Sequence, residues 1–205
     1  YEVSLVEGSI TTREDIHRIQ KIRRQSRVLV AIGACATAGG IQALRNSNDV
    51  RSMARCVYEH PEWLDVLDKS TPIRNHVYVD FELRGCPISK PQLLELLTAL
   101  LNGRKPNLPV VSVCEECKRK GTLCLLVSGG TACMGPVTQS GCGALCPSYG
   151  RGCFGCFGPC DNANTDAMRA AFDRLGIPKD DQRRLFKSFN GYAEPFRAAV
   201  EALER

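Results

Sequence analysis

Nine cysteines fall between Cys114 and Cys160, a window of 47 residues in a chain of 205 that holds twelve in all. Their spacing is Cys114-x2-Cys117-x6-Cys124-x8-Cys133-x8-Cys142-x3-Cys146-x6-Cys153-x2-Cys156-x3-Cys160. Sulfur at this density means disulfides, structural zinc or iron–sulfur clusters. Disulfide scaffolds are mostly short and secreted, with cysteine spread throughout. Here the first half carries only Cys35, Cys56 and Cys86. Zinc ribbons show two separated Cys-x2-Cys knuckles, one per half-site. In this chain each Cys-x2-Cys pair is joined instead to isolated cysteines among glycines. A glycine backbone can pass close to a bulky inorganic core and donate N–H bonds to its sulfides. The spacing therefore favours iron–sulfur chemistry over zinc. Eight cysteines make two four-ligand sites, with one left over.

Residues 114–160 also hold ten glycines and little hydrophobic periodicity. Such a segment buries too little apolar surface to fold unaided, and metal ligation supplies the missing stability. The rest of the chain is ordinary, with 43% hydrophobic and 24% charged residues. That balance excludes a disordered chain, a collagen-like repeat and a coiled coil. No run approaches the roughly 18 apolar residues of a membrane span. The formal charge of +5 counts cysteine as neutral, and two cubanes with four thiolates each would bring it to about +1. With 6% aromatic residues and no basic–aromatic stripe, nucleic acid is not an expected partner. Tyr1 lies inside a strand pattern, so an upstream segment is expected, and the lack of a signal peptide says little about export.

Before the cysteine window the chain alternates strands and helices. Glu2 to Val6 reads as a strand. Thr11-Thr12-Arg13-Glu14 has capping-box spacing, and Ile16, Ile19 and Ile22 follow on one helix face to about Arg24. Arg27 to Ile32 is a short apolar run, as in a strand buried on both faces. Gly33-Ala34-Cys35 follows directly, and Gly39-Gly40 opens a further helix to about Arg45. Trp63, Leu64 and Leu67 are expected to pack a short helix, and Cys56 to be a buried thiol in another. His76 to Leu83 alternates as a strand, followed by Arg84-Gly85-Cys86-Pro87. Ser89 and Gln92 cap an apolar helix, Leu93 to Leu101, stopped at Gly103. This alternation predicts an α/β, doubly wound, mostly parallel sheet. Cys35 and Cys86 each follow a strand and can meet at one sheet edge, near helix N-termini that suit an anionic group. Beyond about Asn162, Ala167, Ala170, Ala171 and Leu175 predict one helix face. A second amphipathic stretch carries Leu185, Phe186, Phe189, Phe196 and Val200.

The chain resembles the small, electron-transferring subunit of cytoplasmic nickel–iron hydrogenases of the bidirectional or sulfhydrogenase delta-subunit type. The residues that carry the resemblance run nearly end to end. They are Val6-Glu7-Gly8-Ser9, Gly33-Ala34-Cys35-Ala36-Thr37-Ala38-Gly39-Gly40 and Arg84-Gly85-Cys86-Pro87. They continue with Cys133-Met134-Gly135-Pro136-Val137-Thr138, Gly141-Cys142-Gly143-Ala144-Leu145-Cys146-Pro147 and Gly155-Cys156-Phe157-Gly158-Pro159. The resemblance implies a flavodoxin-like domain over residues 1–108 with an incomplete start. An irregular iron–sulfur domain over 109–160 and a helical tail over 161–205 follow. It implies three four-iron clusters in a line. The proximal one takes Cys35 and Cys86 plus an upstream Cys-x2-Cys pair absent from these residues, so this chain ligates half of it. The distal one takes Cys114, Cys117, Cys124 and Cys133. The medial one takes Cys142, Cys153 and Cys156 with Cys146 as fourth ligand, and Cys160 is read as a spare thiol able to compete with Cys146.

The same resemblance implies a large subunit carrying the nickel–iron centre, diaphorase-type flavin and iron–sulfur partners, and a cytoplasmic location. Hydrogen would be split in the large subunit, and this chain would relay the electrons to a nicotinamide-linked or other redox partner. The alternatives are the equivalent subunit of a coenzyme F420- or quinone-linked complex, or a zinc-stabilised interaction module. The quinone-linked subunits carry adjacent cysteines at the proximal site, and there is no Cys-Cys pair here. Lys118, Arg119, Lys120 and Arg151 flank the ligands and are expected to be solvated or to face an acidic partner. His17, His60 and His76 lack ligand spacing. No Ser–His–Asp set or phosphate loop is visible, and Gly33 to Gly40 does not fit a dinucleotide fingerprint.

Overall fold

The computed structural model describes residues 1–205. Its only sheet has three strands, β1 (Val3–Val6), β2 (Val28–Ile32) and β3 (Phe81–Leu83), all parallel in the order β1-β2-β3. The central strand is the expected apolar run. Leu29, Val30 and Ala31 are fully buried although they point alternately to opposite faces, so both faces of β2 are covered.

Helix α1 (Arg13–Gln25) makes the crossover from β1 to β2. Its N-cap is Thr12, one residue later than the spacing suggested. The Thr12 hydroxyl accepts the Asp15 N–H, and the Asp15 carboxylate accepts the Thr12 N–H in return. Asp15 is the box carboxylate rather than Glu14 because it stands three residues after the Thr12 N-cap, and it also accepts the Thr11 N–H. Ile16, Ile19 and Ile22 face one apolar cluster with Leu29, Ala31 and Ile73, as their spacing requires.

Three expectations give way between the strands. After α2 (Gly33–Ala38), Gly40 leads into a 3-10 turn, Ile41–Ser47, rather than a full helix. Helix α3 (Val50–Val57) carries Cys56 exposed, not buried, and Trp63 lies 76% exposed on a single turn at Pro61–Trp63. Only Phe81–Leu83 of the expected His76–Leu83 strand is paired. The His76 and Val77 N–H groups instead close a turn onto the Ile73 carbonyl. Asp80 completes the junction, where its carboxylate accepts the Leu29 N–H and the Arg23 guanidinium.

Helix α4 (Lys90–Leu101) follows β3. Ser89 occupies its N-cap position, but its side chain makes no capping bond. The cysteine window is more helical than its composition suggests, with α5 (Val113–Arg119), α6 (Leu125–Ser128) and α7 (Leu145–Ser148). The tail forms α8 (Thr165–Arg174), α9 (Lys179–Lys187) and α10 (Glu194–Leu203). On α8 the buried residues are Met168 and Phe172, while Ala167 and Ala170 are exposed. The larger side chains bury more apolar area and so set the helix rotation, overriding the alanine stripe. Phe172, Phe186 and Phe196 pack edge to face, at 6.3 Å and 5.7 Å between successive ring centroids. They share one core with Val113, Met134 and Val137, and with the cysteines Cys133 and Cys153.

Candidate iron–sulfur ligand site

All twelve cysteines are free thiols. Their placement starts with the sheet. Because β2 and β3 pair at Ile32 and Leu83, the two chains leave the sheet side by side. Cys35 and Cys86 lie just beyond those ends. The Cys35 thiol is pushed up from its ordinary value by burial, by the charge of Cys86 and by Glu7, while the Ile41 N–H works the other way. Gly40 leaves the space Cys35 needs, since a Cβ there would sit 2.5 Å from its Sγ.

Cys114 and Cys117 both ride on α5, where a spacing of three puts them on one face. Burial pushes the Cys114 thiol up to about 11, reinforced in order by Cys133, Cys117 and Cys124. Cys117 is also raised, by burial and then by Cys133 and Cys124. Cys114 and Cys117 thus both feel Cys133, which is buried, and Cys124, which is exposed, and Cys117 also feels Cys142. The Gly135 backbone packs against two of these thiols, with a built Cβ position 3.3 Å from the Cys133 Sγ and 3.6 Å from the Cys114 Sγ.

Burial also pushes Cys156 up to about 11, reinforced in order by Cys142, Cys146 and Cys86. The Cys86 N–H works the other way on the Cys156 thiol. Cys153 stands between the two groups. Burial pushes it up to about 12, and it feels Cys133 more strongly than Cys156. Its own N–H donates to the Cys133 Sγ at 3.2 Å, and its Sγ accepts the Gly155 N–H at 3.5 Å. Cys160 lies apart, buried, with its thiol turned to the Pro136 carbonyl at 3.8 Å. Cys56 is on the exposed side of α3.

This donor set fits iron–sulfur chemistry. It is all thiol, it is lined by glycine backbone, and several N–H groups are aimed at sulfur. Burial first, and then repulsion between neighbouring thiolates, raises these groups, and a positively charged iron core relieves both. No three His, Cys, Asp or Glu side chains stand at the spacing of a single bound metal ion. A cleft of about 1100 Å³ opens beside Cys86, Cys142, Cys146 and Cys156, between α4 and the loops of the cysteine window.

Three features had no sequence signal. Glu116, between the two cysteines of α5, accepts the Gly141 N–H at 2.9 Å and the Ala144 N–H at 3.0 Å. One carboxylate thus ties the first thiol group to the loop that carries Cys142. The Phe157 ring fills the space left by two glycines, with built Cβ positions at Gly85 and Gly141 lying 2.8 Å and 2.7 Å from it. That wedge fixes the neighbours of Cys86, Cys142 and Cys156 together. Third, Gln92 turns from its expected capping role towards Gly141. The flanking cations are mostly solvated. Lys118, Arg119 and Lys120 are exposed, Arg119 pairs with Glu115, and Arg151 lies over the Phe154 ring at 5.7 Å.

Residues 1–100 match the family described as NADH ubiquinone oxidoreductase, 20 Kd subunit. Over 189 residues the chain is 34% identical to Sulfhydrogenase 2 subunit delta of Pyrococcus furiosus, covering 92% of this chain and 78% of that protein. Over 191 residues it is 36% identical to a subunit of the F420-non-reducing hydrogenase vhu of Methanocaldococcus jannaschii, covering 79% of this chain and 66% of that one. Among solved structures, a chain of the actinobacterial-type NiFe-hydrogenase from Ralstonia eutropha H16 shares the fold. The TM-score is 0.53 at 18% identity, over 76% of this chain and 57% of that chain.

Proposed function

Since this chain belongs to the family of nickel–iron hydrogenase electron-transfer subunits, we propose that it relays electrons between a large-subunit nickel–iron centre and a second redox partner. The observation that carries this reading is the convergence of thiols into adjoining groups, linked by the contact between Cys153 and Cys133. Bound iron–sulfur clusters supply one-electron steps at low potential, tuned by ligand set, exposure and hydrogen bonds to sulfur.

The ligand assignment is part of the proposal. Cys114, Cys117, Cys124 and Cys133 hold one four-iron cluster, and Cys142, Cys146, Cys153 and Cys156 hold a second. Cys35 and Cys86 supply two ligands to a third. The proximity of the Cys114 group's thiols, and of Cys142 and Cys146 to Cys156, supports this grouping. Glu116 holds the loops of the first two sets in register, and backbone N–H groups stabilise the charge on sulfur. The sheet unit, residues 1–108, presents Cys35 and Cys86. Residues 109–160 form the cluster-bearing unit, backed by the helices of 161–205.

Diaphorase-type partners, an NAD(P)-linked acceptor and a cytoplasmic site of action complete the proposal. No helix is long and apolar enough to cross a membrane. The test is anaerobic purification of the complete complex, with iron and acid-labile sulfide assayed and spectra recorded before and after dithionite. Matching iron and sulfide with a paramagnetic signal on reduction is the expected result. A colourless chain with stoichiometric zinc overturns it.

A further inference from the structure

Two buried hydrogen-bond donors on residues beside the thiol cleft have no partner. Gln92 Nε2 and Ser140 Oγ are both shielded from solvent, and neither has a partner. Both residues line the cleft that holds Cys86, Cys142, Cys146 and Cys156. Buried polar atoms are ordinarily satisfied, and an orphan costs about 1–3 kcal/mol. The other unpaired buried atoms, Arg45 Nε, Arg169 Nε and Gln182 Oε1, differ in kind. Each belongs to a side chain that is bonded through another of its polar atoms, an NH2 nitrogen of Arg45 and Arg169 and the Nε2 of Gln182. Only Gln92 and Ser140 share a cleft with sulfur ligands.

They reach the cleft from different parts of the chain. Gln92 comes from the first turn of α4, in the sheet unit, and Ser140 is 1% exposed on the loop two residues before Cys142. The Gln92 amide occupies the space that a Cβ at Gly141 would take. Hydrogen-bond donors converging beside thiolates call for an acceptor that carries negative charge on sulfur.

We propose that Gln92 Nε2–H and Ser140 Oγ–H donate to sulfur of the iron–sulfur group held by Cys142, Cys146 and Cys156, and so set its reduction potential. This rests on the electron-transfer reading above. An added electron raises the negative charge on sulfur, so each donor favours the reduced form. Losing one shifts the reduction equilibrium about tenfold towards the oxidised form, about 59 mV for one electron.

The experiment uses the complete complex, purified anaerobically, with Gln92→Met and Ser140→Ala. Iron and acid-labile sulfide are assayed first, and potentials are then read from a titration followed by paramagnetic resonance. The expected result is unchanged iron and one signal displaced to more negative potential in each variant. Full iron with unmoved potentials overturns the proposal and leaves the electron-transfer reading intact. Absence of iron and sulfide in the unmutated complex removes that reading itself. If a variant fails to load, the unmutated complex labelled with nitrogen-15 in its glutamine side chains decides. Hyperfine coupling from that nitrogen to the cluster signal supports the proposal, and its absence overturns it.

Discussion

The backbone N–H of Cys153 donates to the sulfur of Cys133 across 3.2 Å, deep in the apolar core. Two cysteines assigned to different four-ligand sets are thereby in direct contact. Under the proposed ligand assignment this one hydrogen bond is a short path between two clusters, and it makes the two sets structurally interdependent.

That interdependence predicts unequal outcomes for two ligand substitutions. Cys124 is exposed, so Cys124→Ala should cost only its own cluster, about four irons. Cys133→Ala also strips the Cys153 N–H of its acceptor, and iron loss should extend to the second set, approaching about eight. Iron assays on the purified complexes decide. Equal losses for the two variants contradict the coupling.

Glu116 should behave as a clamp. Glu116→Ala leaves the Gly141 and Ala144 N–H groups without their acceptor, at a cost of about 1–3 kcal/mol. Glu116→Gln keeps one acceptor oxygen and should lose roughly half as much. Anaerobic thermal unfolding measures both, and no difference between Ala and Gln would count against the two-pronged arrangement.

Gly141 and Gly150 make a controlled comparison, because both have positive φ, +145° and +70°. At Gly150 nothing lies within 4 Å of a built Cβ, so Gly150→Ala should cost only backbone strain, about 1 kcal/mol. At Gly141 the Cβ meets the Phe157 ring at 2.7 Å and the Gln92 amide as well. Overpacking adds about 1–3 kcal/mol there and should prise the cleft open. Equal thermal midpoints for the two variants would contradict this packing.

Asp80 gives a pH dependence. Burial pushes its carboxyl up, but the Leu29 N–H and the Arg23 guanidinium outweigh that and hold it below 3.8. A lowered carboxylate contributes stability above its unfolded value and loses it as pH falls through the folded one. Asp80→Asn should therefore cost about 1–3 kcal/mol at neutral pH. The gap between variant and wild type should narrow below about pH 4. Unfolding of both proteins across that range is the measurement, and a constant gap would refute the assignment.

The parts legible in the sequence are those governed by local rules. The buried run Val28–Ile32 and the isoleucine face of α1 follow from periodicity, and the adjacency of Cys35 and Cys86 follows from parallel strand pairing. The cysteine spacing named the thiols but not how they meet, because irregular backbone has no period to read. Hence the contact of Cys153 with Cys133, the reach of Cys86 towards Cys156 and the Glu116 clamp emerge only in three dimensions. The tail helices were legible as helices. Their rotation was not, since Phe172 and Met168 dock into a core built by distant residues.

That core has a bearing on how the protein matures in the cell. Cys133 and Cys153 sit among Phe172, Phe186 and Phe196, so the aromatic side chains settle around sulfur atoms. Under the proposed ligand assignment, delivery of iron doubles as an inspection step. A chain that misses its metal leaves greasy helices poorly anchored, and greasy helices are what chaperones and proteases detect.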